Sequence, residues 1–223
     1  MIPQMSRRGK FITFEGLDGT GKSTQQRKLA AALRRSGYHV VETREPGGTE
    51  IGEKIRKVLL DSATAGLSPR AEMALMFASR AQHIHEVIEP ALQNGNIVVC
   101  DRFTDSTEAY QGRGRKLGSE PVLELHRILC GHVQPDLTIL LDSNPAMSVN
   151  RARRRNKKTK RTNQDENRFE QETRAFFARV REGYIGTAKR EPERVVVVNA
   201  SGTPGETHRK IMEVVRERLK LAG

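Results

Sequence analysis

The stretch Gly16-Leu17-Asp18-Gly19-Thr20-Gly21-Lys22-Ser23 constrains this chain more than any other. It fits the pattern G-x-x-x-x-G-K-[ST], and its flanks fit too: the β-rich residues 11–15 come directly before it and the helix-forming residues 25–34 directly after. Glycines permit backbone angles that turn several N–H groups inward into an anion-binding nest. The helix beyond adds its positive end to the same spot, with Thr24 in its first turn. In that arrangement Lys22 reaches the β- and γ-phosphates of a nucleoside triphosphate, and the Ser23 hydroxyl ligates Mg²⁺. A Gly-rich turn matching by chance would lack the strand and helix on either side. The pattern binds a triphosphate and says nothing of what is done with it.

A strand that feeds such a loop belongs to an α/β sheet. Short apolar runs predict five strands, at residues 11–15, 39–43, 97–101, 137–142 and 195–199. Helical spacing fills the intervals at residues 21–36, 50–60, 69–93, 121–130, 145–155, 168–189 and 204–221, several opening on Pro. Strands alternating with helices imply a three-layer, P-loop NTPase-like α/β fold, a five-stranded parallel sheet with helices on both faces. Its 223 residues suit one domain, expected over residues 10–223 with a flexible tail at residues 1–9.

The surface is basic, with a formal charge of +12, and so attracts phosphates, whether on nucleotides or on nucleic acid. Aromatic residues at 4% leave few stacking platforms for single strands, and the guanine-reading Asn-Lys-x-Asp is absent, which disfavours a nucleic-acid-dependent ATPase or a GTPase switch. No apolar run approaches the roughly 18 residues of a membrane span, and no apolar stretch with a cleavage site follows the basic start. Cys100 and Cys130 have no metal-ligand spacing and read as buried thiols of a reducing compartment. His83 and His85 point to different faces of one helix, which argues against a shared metal. A cytoplasmic protein is expected.

The carboxyl ends of the other strands should face the same crevice. Strand 97–101 ends in Asp101-Arg102, an acid able to hold Mg²⁺ through water and a fork able to clamp a phosphate; Asp142, ending strand 137–142, is a rival metal-side carboxylate. Thr43-Arg44-Glu45-Pro46-Gly47-Gly48-Thr49 sets an Arg beside a rigid turn. Phe77 and Arg80 stand three apart on one helix and share a face. An aromatic plate beside a planar donor fork suits a stacked base with a carbonyl oxygen to read, while an isolated Phe on an apolar helix is more often core; both readings stand here.

Taken in order, the phosphate loop, Arg44-Glu45-Pro46-Gly47-Gly48-Thr49, Leu75-Met76-Phe77-Ala78-Ser79-Arg80, Asp101-Arg102-Phe103 and Ser106-Thr107-Glu108-Ala109-Tyr110-Gln111 closely resemble the thymidylate kinases, from about Lys10 onward. The resemblance implies transfer of the γ-phosphoryl group of ATP to dTMP, with Mg²⁺, in a homodimer packed through helices, and no specific nucleic-acid or membrane partner. It implies that Phe77 stacks on thymine, Arg80 donates to a thymine carbonyl, Ser106 and Gln111 line the base pocket, and Tyr110 crowds the sugar's 2′ position. Asp18 would meet the acceptor's 3′-hydroxyl, and Arg44 and Arg102 the acceptor phosphate, with Asp101 organising the metal. Some members carry a catalytic Arg in the phosphate loop; here Gly19 stands there, so a lid at about residues 151–168 must supply it, Arg155 first and Arg153 second. The expected dimer face is an apolar one on residues 71–92.

Overall fold

The structure, a computed structural model, describes residues 8–64, 66–144, 148, 151 and 168–220. Five strands, β1 (Phe11–Glu15), β2 (Val40–Arg44), β3 (Ile97–Asp101), β4 (Leu137–Asp142) and β5 (Val195–Asn199), form one parallel sheet in the order β2-β3-β1-β4-β5. The central strand β1 is buried along its whole length, whereas β2 and β5 at the edges are only partly covered. Burial on both faces is why β1 and β3 read as largely apolar without a polar alternation, Thr13, Glu15 and Asp101 excepted. β2 lies one residue further along than expected, ending on Arg44, which its register sets beside Asp101.

Alternation along β1 and β3 sends successive side chains to opposite layers. Ile12, Phe14 and Val99 pack on Leu29, Leu33, Ile211 and Val215 of α1 (Lys22–Arg35) and a helix at the C-terminal end. Phe11, Val98 and Cys100 face Phe77, Ile88 and Val122 on the other side. That layer holds α2 (Glu50–Leu60), α3 (Pro69–His83), α4 (Glu89–Gln93), α5 (Thr104–Thr107) and α6 (Glu120–Cys130), and α7 (Arg174–Arg190) and α8 (Pro204–Leu219) complete the described helices.

Local chemistry sets the helix starts. Thr49, Ser68 and Thr173 accept backbone N–H groups as N-caps, and Thr203 with Glu206 forms a capping box at α8. The Thr173 cap divides the helix expected over residues 168–189 into a short turn, Arg168–Gln171, and α7. The helix expected over residues 69–93 widens into a π-helical turn at Ile84–Ile88 between α3 and α4. Pro90 has no N–H for the carbonyl four residues back and its ring crowds that carbonyl; the widened turn absorbs both effects.

One element was not expected at all. After β3 the chain forms α5 and then a π-helical segment, Glu108–Gly114, lying against α7. The approach is close enough that a Cβ on Gly114 would stand 2.7 Å from the Phe176 ring and one on Gly183 2.9 Å from Arg113. Glycine on each side makes the seam possible.

Of the expected tail, the described Gly9 is buried and Arg8 is exposed. Gly9 donates its N–H to Leu92, a Cβ there would run into the Asn96 carbonyl at 1.9 Å, and Arg8 and Lys10 pair with Asp136. Among the described residues no helix is long and apolar enough to cross a membrane.

Candidate active site

The loop after β1 adopts left-handed backbone at Gly16, Gly19 and Gly21 (φ 128°, 81° and 99°). At Gly16 a Cβ would meet the Leu141 carbonyl at 2.3 Å, so the turn tolerates no side chain there. α1 starts on Gly21 with no acidic residue in its first turn, which leaves its positive end uncompensated at the loop. The Lys22 ammonium is buried and donates to the Gly16 and Leu17 carbonyls, each at 3.0 Å. Burial, followed by the charge of Arg102, pulls its pKa below the ordinary lysine value.

Opposite the loop, Ser23 Oγ donates to Asp101 Oδ2 at 2.7 Å. Asp101 Oδ1 is buried with no hydrogen-bond partner. An alcohol oxygen beside an unpaired carboxylate oxygen is a hard, oxygen-only donor set that fits Mg²⁺. Among the described residues no group of three His, Cys, Asp or Glu could hold a metal, which suits an ion bound mainly through substrate phosphates. The rival Asp142 has both oxygens engaged by Arg181, at 2.8 and 2.6 Å.

Arg102 has φ of 77°, in the left-handed region a bulky residue seldom occupies. Its Nη1 donates to Ser106 Oγ (2.9 Å) and Tyr184 OH (2.8 Å), and its Nη2 to Asp18 Oδ1 (2.9 Å) and Tyr110 OH (3.2 Å), with the guanidinium over the Tyr110 ring. Ser106, expected to line the base pocket, thus has its hydroxyl engaged by protein groups, and Asp18 holds the guanidinium.

Asp18, Gly19, Gly21, Lys22, Ser23 and Thr24 line one side of a cleft of about 300 Å³; Arg44, Glu45, Arg56, Asp101 and Arg102 line the other. Arg44 is exposed and pairs with Glu53, while Arg56, donating to the Pro46 carbonyl at 3.0 Å, is a cation that motif reading missed.

Deeper, the Glu45 carboxylate holds Arg80 Nε at 2.7 Å and His83 Nδ1 at 2.9 Å, and His83 Nε2 meets Thr43 Oγ1. Burial alone would raise the Glu45 pKa; Arg80 and His83 outweigh it and hold the group below the usual carboxylate range. Arg80 Nη2 reaches Thr107, which leaves Nη1 buried and unpartnered. Phe77 is fully buried in the core, and the Arg80 guanidinium covers its ring at 4.9 Å, so as placed the ring offers no surface for a base. Gln111 Nε2 donates to Glu72, a fully buried carboxylate that also binds Arg115 and Arg168. Arg168, expected at the far end of the lid, is therefore committed to Glu72 and to the Leu59 carbonyl. Arg153 and Arg155 lie outside the described residues; Arg151 is exposed.

Two further residues belong to this network. Tyr184, which no sequence motif singled out, donates to Glu15 at 3.0 Å as well as accepting from Arg102. Glu15, the last residue of β1, had no role assigned. Only its place directly before the phosphate loop hinted at one.

A family model for thymidylate kinase matches residues 14–211. The thymidylate kinases of Trichlorobacter lovleyi and Pelobacter propionicus are 48% and 47% identical to this chain, over 94% and 95% of it and 98% and 96% of their own lengths. The crystal structure of thymidylate kinase from Ehrlichia chaffeensis matches with a TM-score of 0.74 at 33% identity, covering 93% of this chain and 99% of that one.

Proposed function

The chain belongs to the thymidylate kinase family and phosphorylates dTMP to dTDP with ATP; from that premise we propose how its residues divide the work. The observation that carries the proposal is the single cleft in which a phosphate-binding loop faces three arginines. Donor and acceptor are both anions, and the transferred group spreads charge over its equatorial oxygens, so the task is alignment and charge compensation, with no covalent intermediate.

The loop N–H groups from Gly16 to Thr24 hold the ATP phosphates, and the Lys22 ammonium exchanges the Gly16 and Leu17 carbonyls for phosphate oxygens. Ser23 and Asp101 would hold Mg²⁺, whose chemistry when bound is to neutralise phosphate charge and fix its orientation. Arg102, Arg44 and Arg56 take the acceptor phosphate. A guanidinium already tied to Asp18, Tyr110, Ser106 and Tyr184 loses little freedom on binding, so its position is set in advance. The remaining compensation belongs to a lid arginine, Arg155 or Arg153.

For the base, the unpartnered Arg80 Nη1 supports donation to a thymine carbonyl, and Gln111 is held in place by Glu72. Stacking of thymine on Phe77 rests on family membership, since as placed the ring is buried beneath the Arg80 guanidinium. Tyr110, which lies against the Arg102 guanidinium, crowds the sugar's 2′ side, and Asp18, inside the loop, meets the 3′-hydroxyl.

A homodimer is part of the proposal, with its face moved. Within residues 71–92 the large apolar side chains Met73, Phe77, Ile84, Ile88 and Leu92 are buried, and Leu75, Met76 and Val87 are partly covered. Large exposed apolar residues lie instead on α2 (Ile51, Val58) and α6 (Leu123, Ile128, Leu129), both packed against α3, and are 40–59% exposed. Two buried free thiols support a cytoplasmic location. The test is a coupled ADP-release assay across a panel of nucleoside monophosphates. Turnover of dTMP far above dUMP, dCMP and the ribonucleotides is expected, and equal turnover of all would break the assignment.

A further inference from the structure

Everything that steadies Arg102 on its Nη1 side depends on one carboxylate. Glu15 is fully buried at the end of β1. Its Oε2 accepts from the Ser106 hydroxyl at 2.5 Å and from the Tyr184 hydroxyl at 3.0 Å, and its Oε1 accepts the Phe103 N–H at 2.7 Å. A hydroxyl has one proton. The two hydroxyl oxygens also lie 2.8 Å apart, so Tyr184 can give its proton to Glu15 directly or to Ser106; with Ser106 giving its own to Glu15, either arrangement leaves only lone pairs to meet Arg102 Nη1, at 2.9 and 2.8 Å. The bond to Phe103 N–H also clamps the peptide that follows Arg102, holding the residue in its left-handed backbone.

We propose that Glu15 is a positioning residue for dTMP: by drawing the Ser106 and Tyr184 protons away from Arg102 it makes both oxygens acceptors and fixes the guanidinium that meets the acceptor phosphate. The inference rests on the reading of Arg102 as the phosphate clamp. An amide in place of the carboxylate would donate to the two hydroxyls, and one hydroxyl proton would then be left facing the guanidinium, a donor against a donor.

Burial, and then the charge of Asp105, push the Glu15 pKa up to about 7, against the opposing charge of Arg102. Lys22, Cys100, Tyr110 and Tyr184 are the other titratable groups that sense it. The ionised form should therefore give way as pH falls through about 7, and the grip on dTMP with it.

Steady-state kinetics of the full chain and of Glu15→Gln, from pH 6 to 9, test this. Glu15→Gln should raise KM for dTMP roughly tenfold, as loss of a hydrogen bond to a charged group does, and leave KM for ATP within about twofold. The wild-type kcat/KM for dTMP should fall on the acid side in two contributions, one from the substrate phosphate near a pKa of about 6 and one from Glu15. Only the first should remain in the variant. In a Tyr184→Phe background Glu15→Gln should cost markedly less than it does alone, because part of its route to Arg102 is already gone. An unchanged dTMP KM, an unchanged acid limb, or losses that simply multiply would overturn the positioning role. If Glu15→Gln does not fold, Tyr184→Phe decides alone: a dTMP KM raised severalfold supports the inference and an unchanged one refutes it. Failure of wild-type protein to release ADP with dTMP would instead refute the underlying assignment.

Discussion

The two sides of the cleft are built on different principles. The triphosphate side is eight consecutive residues whose work is done by backbone N–H groups, three left-handed glycines and one lysine. The acceptor side is assembled from Glu15, Glu45, Glu72, Arg80, Arg102, Tyr110, Gln111 and Tyr184, which come from β1, the turn after β2, α3, the segment after β3, and α7. In the proposed division of work, a local motif serves a ligand every nucleotide shares, and a dispersed network of buried carboxylates and arginines serves the partner that must be discriminated. Specificity here therefore depends on tertiary packing, and damage to the fold should reach dTMP before it reaches ATP.

The sharpest way to break that contrast is Arg102→Ala. Kinetics should show kcat/KM for dTMP falling about 10³-fold, with ATP affinity by fluorescence titration nearly unchanged. Parallel loss of ATP binding would mean the two sides are not separable. Next, Glu72→Gln leaves Arg115 and Arg168 without their buried counter-charge, and urea unfolding should report a loss of about 3 kcal/mol. An unaffected midpoint would show the network to be dispensable.

Glu15 should act on stability with the opposite sign. It binds its proton more tightly folded than unfolded, so its contribution is present in full below pH 4.5 and is lost as pH rises through about 7. The wild type should give up at most about 3 kcal/mol across that window relative to Glu15→Gln, measured by denaturation at each pH. A constant difference between the two proteins would contradict the raised pKa. Tyr110→Ala should relax discrimination against the ribonucleotide about tenfold in a dTMP-versus-ribo-analogue comparison. The smallest effect is expected at Asp142→Asn: the carboxylate is already committed to Arg181, so the Mg²⁺ dependence of turnover should shift less than about twofold. A large shift would return Asp142 to the metal side.

What sequence could and could not show follows the same division. Residues 16–23 were legible because their chemistry is contiguous, β1, β3, β4 and β5 because strands covered by helices read as short apolar runs, and α2 because burial of one helix face leaves a period in hydrophobicity. Residues 104–114 were illegible because they are buried through polar side chains such as Thr104, Asp105, Ser106, Thr107, Glu108 and Gln111, which leave no apolar period. Tyr184 and Glu15 were missed for a related reason: a hydroxyl and a carboxylate 169 positions apart meet only after folding. Tyr110 and Gln111 were reached through resemblance, since no spacing rule places them. The Thr173 cap and the widened turn before Pro90 were written in the sequence and passed over within longer helical patterns.

The helix α2 has a consequence for how the enzyme should respond to dilution. One side of this short rod carries Arg56 and Glu53, the latter bracing Arg44, while the other carries Ile51 and Val58 outward. Water against that outer flank and a neighbour against it are two different loads on the same lever. Under the proposed homodimer, specific activity should then track subunit concentration, and a catalytic rate becomes a gauge of self-association.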